Sequence, residues 1–209
     1  IERGSNIWKA IKDEIQKAIV AAEDEMLKNG IVGVGDICNS DFTFKQKSEG
    51  KIRYHTFIEA LGFHPDNADS AFERCMNLVQ KFHSNVRKPR LDLTGSTAAQ
   101  ARATNLSDIS ITPHAPYSAS QKLLKKICDF ALKNNSILSI HNQENEDENK
   151  MFIEGKGKIL EHIKLLGIDI SQWKPTGKNS LQSIFPYLPK KIKFYLSIIL
   201  SPQKMILFF

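Results

Sequence analysis

Two histidines, each at the end of an apolar run, are the side chains of this sequence best suited to chemistry. His141 follows the apolar residues 137–140, His114 follows residues 109–113, and Glu144 comes three residues after His141. A neutral imidazole can bind a divalent metal and a nearby carboxylate can transfer protons, so His141 and Glu144 suit hydrolysis by an activated water. The alternative is that both histidines are hydrogen-bonded structural residues, because short motifs of this kind also arise by chance.

The composition is that of a single ordinary globular domain. The chain has 209 residues, of which 41% are hydrophobic and 25% charged, enough for one sizeable core. The net charge of +6 comes from scattered lysines without interleaved aromatic residues, so we predict no nucleic-acid partner. No apolar stretch approaches the ~20 residues of a membrane span, so we predict no membrane partner. Cys38, Cys75 and Cys128 stand among apolar neighbours, which favours buried thiols in a reducing, cytoplasmic compartment.

Apolar periodicity predicts helices that alternate with strands. Alternation of this kind favours an α/β fold with a parallel sheet and right-handed crossovers, whose functional groups gather at the carboxyl ends of the strands. That is where His114 and His141 fall. The first helix is predicted to be capped by Ser5 and stopped by Gly30, and residues 87–107 form a long polar connection. The predicted strands are residues 31–38, which we expect to be buried, 52–59, 109–112 and 137–140; the predicted helices are residues 6–29, 67–82, 118–134 and a helix from 146.

His141 and Glu144 can share a pocket under one geometric condition. Residues three apart on a regular strand point to opposite faces of the sheet. The strand must therefore end near Asn142, and the chain must bend there. His114 lies between Pro113 and Pro116, which favour an extended or turning backbone over a helix.

With these segments in view, the sequence resembles the amidohydrolase superfamily, in the branch of cytosine-deaminase-like and chlorohydrolase-like metal-dependent hydrolases. The similarity covers most of residues 1 to about 190. Its most specific part is a His-x-x-Glu motif placed after a proline-histidine strand. The segments that carry it are residues 57–62, residues 112–118 (Thr-Pro-His-Ala-Pro-Tyr-Ser), residues 141–144 followed by Glu148, and residues 155–157 (Gly-Lys-Gly).

The resemblance implies a fold, a cofactor and site residues. Members of this superfamily are (β/α)₈ barrels of the TIM type that bind one or two divalent metals and use water to attack a carbon bearing an amine, amide or halide. His141 matches a metal ligand on the fifth strand, Glu144 the proton-shuttling glutamate, and His114 a substrate-facing histidine on the fourth strand. Glu59, at a strand end, is a candidate substrate-binding residue, and a role in capping the next element is equally open. The implied metal is zinc or iron, the implied partner is a small-molecule substrate, and the oligomeric state is left open.

The sequence departs from the family pattern in its metal ligands. It contains no His-x-His pair, which the family's first strand supplies, and no match to the sixth-strand histidine or the eighth-strand aspartate. We therefore expect residues 1–196 to form a partial barrel, roughly strands two to five or six. We expect it to be inactive by itself and not to retain the metal tightly, since a catalytic zinc usually has three protein ligands. The alternative is a non-catalytic α/β module that binds a small ligand.

Residues 197–209 form an apolar tail that does not fit the family pattern. Ile198 and Ile199 stand where the sixth-strand histidine is expected. Codons for residues 198–206 can be chosen so that a frame displaced by one base reads His-Asn-Thr-Phe-Thr-Ser-Lys-Asp-Asp, which resembles that strand. One hypothesis is a shifted reading frame near Ser197, in which case residues 198–209 should lack a strand pattern. The other is a genuine apolar strand.

The nucleotide sequence of the locus separates these two hypotheses. If the frame has shifted, the base before the Ile198 codon is C, and the displaced frame stays open and later encodes an aspartate at a strand end. Another base at that place, or early stop codons in the displaced frame, favours the genuine strand.

Overall fold

The chain folds into strands that alternate with helices. The computed structural model describes residues 2–49, 51–86, 108–191, 194–199 and 205–208, and it describes side chains for residues 10–49, 51–85 and 108–191. The elements in chain order are α1 (Glu2–Lys28), β1 (Gly33–Cys38), α2 (Phe44–Glu49), β2 (Arg53–Ala60), α3 (Ala68–Val86), β3 (Ile109–Pro113), α4 (Gln121–Asn134), β4 (Leu138–Asn142), α5 (Glu146–Glu154), α6 (Lys158–Leu165), α7 (Ser180–Ile184), β5 (Phe194–Ile199) and β6 (Met205–Phe208).

The strands form two hydrogen-bonded groups of three. In the first group β1, β2 and β3 are parallel, with Asp36 opposite Thr56 and Ile58 opposite Ile111. In the second group β4 and β5 are parallel, with His141 opposite Ser197. The last strand, β6, runs antiparallel to β5.

The two groups meet along a seam between β3 and β4. The Thr112 hydroxyl donates a hydrogen bond to the backbone carbonyl of Ser139 and accepts one from the backbone N–H of Ser139 at 2.8 Å. One step further along the strands, the His141 N–H donates to the carbonyl of His114 at 2.9 Å. The strand order is therefore β1-β2-β3-β4-β5 with all five strands parallel, the arrangement predicted for a partial (β/α)₈ barrel.

The main core lies between the sheet and the helices that cover its outer face. β2 and β3 bury Ile58 and Ile111 completely, and α4 buries Leu123 and Ile127 against them. The three cysteines belong to this core, as predicted, and burial raises the pKa of the Cys75 and Cys128 thiols to about 11. No helix in the described ranges combines the length and the apolarity needed to cross a bilayer.

Some helix boundaries differ from those predicted. The helix α1 begins at Glu2, so Ser5 lies inside it and is not its cap. Its end is as predicted: Gly30 adopts a φ of 78°, a left-handed conformation that favours glycine, and Ile31 N–H donates to the carbonyl of Met26. The helix α4 begins at Gln121 and not at residue 118, because Ser118 lies in a short 3-10 turn. Its cap is Ser120, whose hydroxyl accepts a hydrogen bond from Leu123 N–H at 3.3 Å.

Two features of the region around β1 were not predicted from the sequence. Strand β1 was predicted to be buried, but only Cys38 is buried in it and three of its six residues are exposed, since in the described part of the chain β1 pairs with β2 alone. The short helix α2 was not predicted, because its six residues are mostly polar. It is held by Phe44, which packs edge-on against Phe82, and by an ion pair of 2.5 Å between the buried Lys47 and Asp36.

The C-terminal strands also differ from expectation. The prediction that residues 198–209 lack a strand pattern is wrong for Ile198 and Ile199, which lie in β5, and for Met205–Phe208, which pairs with β5. The strands of a (β/α)₈ barrel are all parallel, so the antiparallel pairing of β6 with β5 departs from that fold. The frame shift near Ser197 stays a prediction. Residues 87–107, predicted as a long connection, lie outside the described residues.

We expect Thr112→Val to lower the free energy of unfolding by roughly 1–3 kcal/mol, because the valine methyl leaves the backbone N–H and C=O of Ser139 without their buried partner. Urea denaturation measures the loss. Ser139→Ala is the matched control, since it keeps both backbone groups and should cost clearly less. Equal losses in the two variants would show that the Thr112 hydroxyl does not hold the seam.

Candidate functional site

Three side chains from three successive strands meet at the carboxyl edge of the sheet. Glu59 lies near the end of β2, His114 directly follows β3, and His141 lies near the end of β4. Each offers one ligand atom, and these atoms all lie within 4.8 Å of one another. The expectation that His114 and His141 meet at the strand ends is confirmed, and Glu59 lies with them.

Glu59 and His141 are in direct contact. Nε2 of His141 lies 3.1 Å from Oε1 of Glu59, whose side chain is only 5% exposed. The second carboxylate oxygen accepts a hydrogen bond of 3.0 Å from the side-chain amide of Asn39. Both oxygens of this buried carboxylate therefore have a donor, which is the condition for keeping a charge inside a protein.

The contact shifts both titrations. Burial alone would raise the pKa of Glu59, but hydrogen bonds from His141 and Asn39 and the nearby imidazoles bring it below its ordinary value. The hydrogen bond to Glu59 raises the pKa of His141, against the opposing effect of burial. Each charged form therefore stabilises the other.

The second ring nitrogen of His141, Nδ1, is available to bind a ligand. This nitrogen is buried and has no hydrogen-bond partner among the described residues. Buried polar atoms of folded proteins nearly always have a partner. The unpartnered nitrogen leaves His141 with a second position at which a ligand could bind.

His114 is oriented by the turn that follows it. Its Nδ1 lies 2.8 Å from the Ser118 hydroxyl, which the 3-10 turn Pro116–Ser118 places beside the ring. The imidazole packs edge-on against His141, with ring centroids 5.4 Å apart, and against Tyr117 at 5.8 Å. With Nδ1 engaged, Nε2 is the nitrogen that can bind a ligand.

Glu144 lies beside the three-residue cluster and is connected to it through Tyr117. Strand β4 ends at Asn142, and Gln143 then adopts a φ of 55°, so the predicted bend is present. The Tyr117 hydroxyl donates a hydrogen bond of 2.5 Å to Oε2 of Glu144, and the tyrosine ring contacts His114. Burial and this bond to Glu144 raise the pKa of Tyr117, so the phenol stays protonated and Glu144 is the acceptor.

Three residues of the site had no role assigned from the sequence. Asn39 immediately follows β1, so the rule that functional groups gather at strand ends could have found it. Tyr117 and Ser118 belong to the proline-histidine motif, yet spacing alone does not tell which side chain a hydroxyl reaches. Their hydrogen-bond partners, Glu144 for Tyr117 and His114 for Ser118, could be identified only from the tertiary structure.

The cluster fits a divalent cation. Two donors about 2.0–2.1 Å from one tetrahedral ion lie roughly 3.3 Å apart. The 3.1 Å between Nε2 of His141 and Oε1 of Glu59 is close to that separation. Two imidazoles and one carboxylate are also a donor set that zinc accepts.

Comparison with known proteins places the chain in a family. Residues 5–167 match the amidohydrolase family, so the chain belongs to it. Aminodeoxyfutalosine deaminase from Deinococcus radiodurans is 24% identical over 150 residues, which cover 69% of this chain and 31% of that protein. The 5-methylthioadenosine/S-adenosylhomocysteine deaminase from Syntrophobacter fumaroxidans is 37% identical over 81 residues, covering 37% of this chain and 18% of that protein. The chain therefore spans about a third or less of these relatives.

Solved structures share the fold. Helicobacter pylori aminofutalosine deaminase superimposes with a TM-score of 0.54 at 21% identity, over 71% of this chain and 33% of that one. A mutant of the atrazine chlorohydrolase from Arthrobacter aurescens, complexed with zinc and atraton, gives a TM-score of 0.53 at 15% identity, over 88% and 38% of the two chains. The predicted partial barrel is confirmed.

We expect Glu59→Gln to lower the pKa of His141 toward its ordinary value, because a neutral amide replaces the carboxylate that favours the imidazolium. NMR titration of the imidazole in chelator-treated protein measures it. Glu161→Gln, a change on the exposed face of α6, should leave this pKa unchanged. An unaltered His141 titration in Glu59→Gln would contradict the pairing.

The same pair should make stability depend on pH. Its contribution is fully present between the ordinary pKa values of a glutamate, about 4.3, and a histidine, about 6.5. It is lost as the pH rises through the raised pKa of His141 and as the pH falls through the lowered pKa of Glu59. Glu59→Gln should flatten that dependence in thermal melts.

Proposed function

We propose that the protein takes part in the hydrolytic deamination of a small molecule, with a divalent metal bound by His141. The observation that carries the proposal is the convergence of Glu59, His114 and His141 within 4.8 Å, beside Glu144. Its support from the comparisons is that both curated relatives described above are named as deaminases. Hydrolysis of a C–Cl bond is the second candidate, since one structural neighbour is a chlorohydrolase.

In this proposal His141 holds the metal and Glu59 has two compatible roles. The 3.1 Å contact with His141 favours Glu59 as a second ligand, and its place at a strand end also suits a contact with substrate. Imidazole and carboxylate donors suit both zinc and iron, so the proposal covers either metal. When bound, such a cation supplies the electrostatic stabilisation of hydroxide that makes water nucleophilic near neutral pH.

Glu144 moves the protons. As a carboxylate that accepts the Tyr117 hydroxyl, it can take a proton from the attacking water and then deliver it to the leaving nitrogen. An amine leaves only after it is protonated, whereas chloride leaves as an anion. Both candidate reactions therefore use the first proton transfer, and only deamination needs the second.

His114 holds the substrate in this scheme. Ser118 engages Nδ1 and fixes the ring, so Nε2 is left to bind a polar atom of the molecule under attack. The proposed setting is a reducing, cytoplasmic compartment, which the three buried thiols of Cys38, Cys75 and Cys128 support.

In the protein that contains this chain, we expect His141→Ala to weaken zinc binding, because it removes a ligand nitrogen. We expect Glu144→Gln to keep the zinc and to lose roughly 10²–10⁴-fold in turnover, because the amide cannot shuttle protons. Zinc content by plasma mass spectrometry and ammonia release from a panel of amino-substituted heteroaromatic compounds measure the two effects.

His162→Ala is the matched control, since this histidine lies exposed on α6, away from the cluster. It should change neither zinc content nor turnover. Near-normal turnover of Glu144→Gln would contradict the assignment of Glu144 as the proton shuttle. Turnover of chlorinated compounds without any ammonia release from the amines would replace deamination by the second candidate.

A further inference from the structure

We propose that Glu148 is a positioning residue, which holds Glu144 in place by clamping the bend between β4 and α5. The inference rests on the proposed function, because it names how that site is kept in shape. Glu148 lies on the first turn of α5 and is fully buried. Its hydrogen bonds within the described residues do not involve Glu59, His114 or His141.

The clamp begins at the backbone of the bend. Oε2 of Glu148 accepts a hydrogen bond of 3.0 Å from the backbone N–H of Glu144. Interaction with the backbone of Gln143 and with this N–H opposes the rise in the pKa of Glu148 that burial causes. The carboxylate therefore holds the bend at the backbone of Glu144.

The bend needs such support because its conformation is costly. Gln143 has a φ of 55°, a left-handed conformation that non-glycine residues adopt at a cost of roughly 1 kcal/mol or more. The same bend turns the chain from His141 on the strand to Glu144 at the site. Hydrogen bonds from a fixed carboxylate offset that cost and select one position for the Glu144 side chain.

Two further buried side chains, those of Asn142 and Ser180, support the position of Glu148. The side-chain amide of Asn142 lies 3.5 Å from Oε1 of Glu148 and donates a hydrogen bond of 3.1 Å to the Ser180 hydroxyl. Ser180 also hydrogen-bonds to Glu148. Asn142, Glu148 and Ser180 are all completely buried, and the N–H of Ser180 donates to the side chain of Asn149 on α5.

This arrangement connects an element remote in sequence to the site. Ser180 is the first residue of α7, and Asn142 is the last residue of β4. The direct hydrogen bond between them, and the contact of Asn142 with Glu148, join α7, α5 and the strand that carries His141. Polar networks of this kind fix one arrangement when their members have partners, and they lose it when one member is removed.

Hydrogen exchange of the Glu144 amide in Glu148→Ala is the direct test. We expect exchange at this amide to accelerate roughly ten- to hundredfold, because the amide loses a hydrogen bond to a charged acceptor. In the active protein kcat should fall about 10–100-fold with zinc retained and KM little changed, as for other groups that orient catalytic residues. Glu148→Gln should recover part of both losses, because its amide oxygen can still accept from Glu144 N–H.

Ser180→Ala and Ser120→Ala complete the design. Ser180→Ala should give a weaker version of the Glu148→Ala pattern, and together with Glu148→Gln it carries the test if Glu148→Ala does not fold. Ser120→Ala removes the cap of α4 and should lower overall stability without a selective effect at Glu144.

The outcomes separate this inference from the proposed function. An unchanged Glu144 amide in Glu148→Ala, or faster exchange spread equally over β2 and β4, overturns the clamp. A selective acceleration at Glu144 in a protein that releases no ammonia from any amine supports the clamp and rejects the deamination.

Discussion

The pair of hydrogen bonds between the Thr112 hydroxyl and the backbone of Ser139 is the contact on which the rest of the site depends. It joins two groups of three strands that share no other ladder in the described chain. Glu59 and His114 belong to one group, and His141 belongs to the other. The Thr112 hydroxyl bridges two backbones here, and together with the hydrogen bond from His141 N–H to the carbonyl of His114 it sets how the two groups of strands meet at the site.

Around that seam, the protein buries polar groups in pairs or networks. Glu59 has donors from His141 and Asn39, and Glu148 has donors from Ser180 and the backbone of the bend. A buried carboxylate without donors would cost several kcal/mol. The arrangement therefore does more than stabilise the fold, because these donors fix the directions of Glu59, which belongs to the proposed site, and of Glu148, which holds the bend that carries Glu144.

The fold and the site carry different parts of the functional conclusion. Membership of the amidohydrolase family and the likeness to solved barrels concern the fold, and similar barrels are described as deaminases and as a chlorohydrolase. A common fold does not by itself choose between these reactions. In the proposed chemistry the choice lies with Glu144, the group that would receive and deliver protons, and Tyr117 and Glu148 matter because they hold it.

The sequence by itself determined the elements and the edge at which chemistry gathers. Apolar periodicity placed β1 to β4 and the helices α1, α3, α4 and α5, and parallel strands put His114 and His141 at one edge. The spacing of His141 and Glu144 also required a bend after Asn142, and Gln143 supplies it. Only the tertiary structure decided that Glu59 pairs with His141, that Tyr117 holds Glu144, and that Ser180 reaches Glu148. The reason is that strand patterns fix which face a residue occupies, whereas the partner of a side chain depends on how strands far apart in the sequence are brought together.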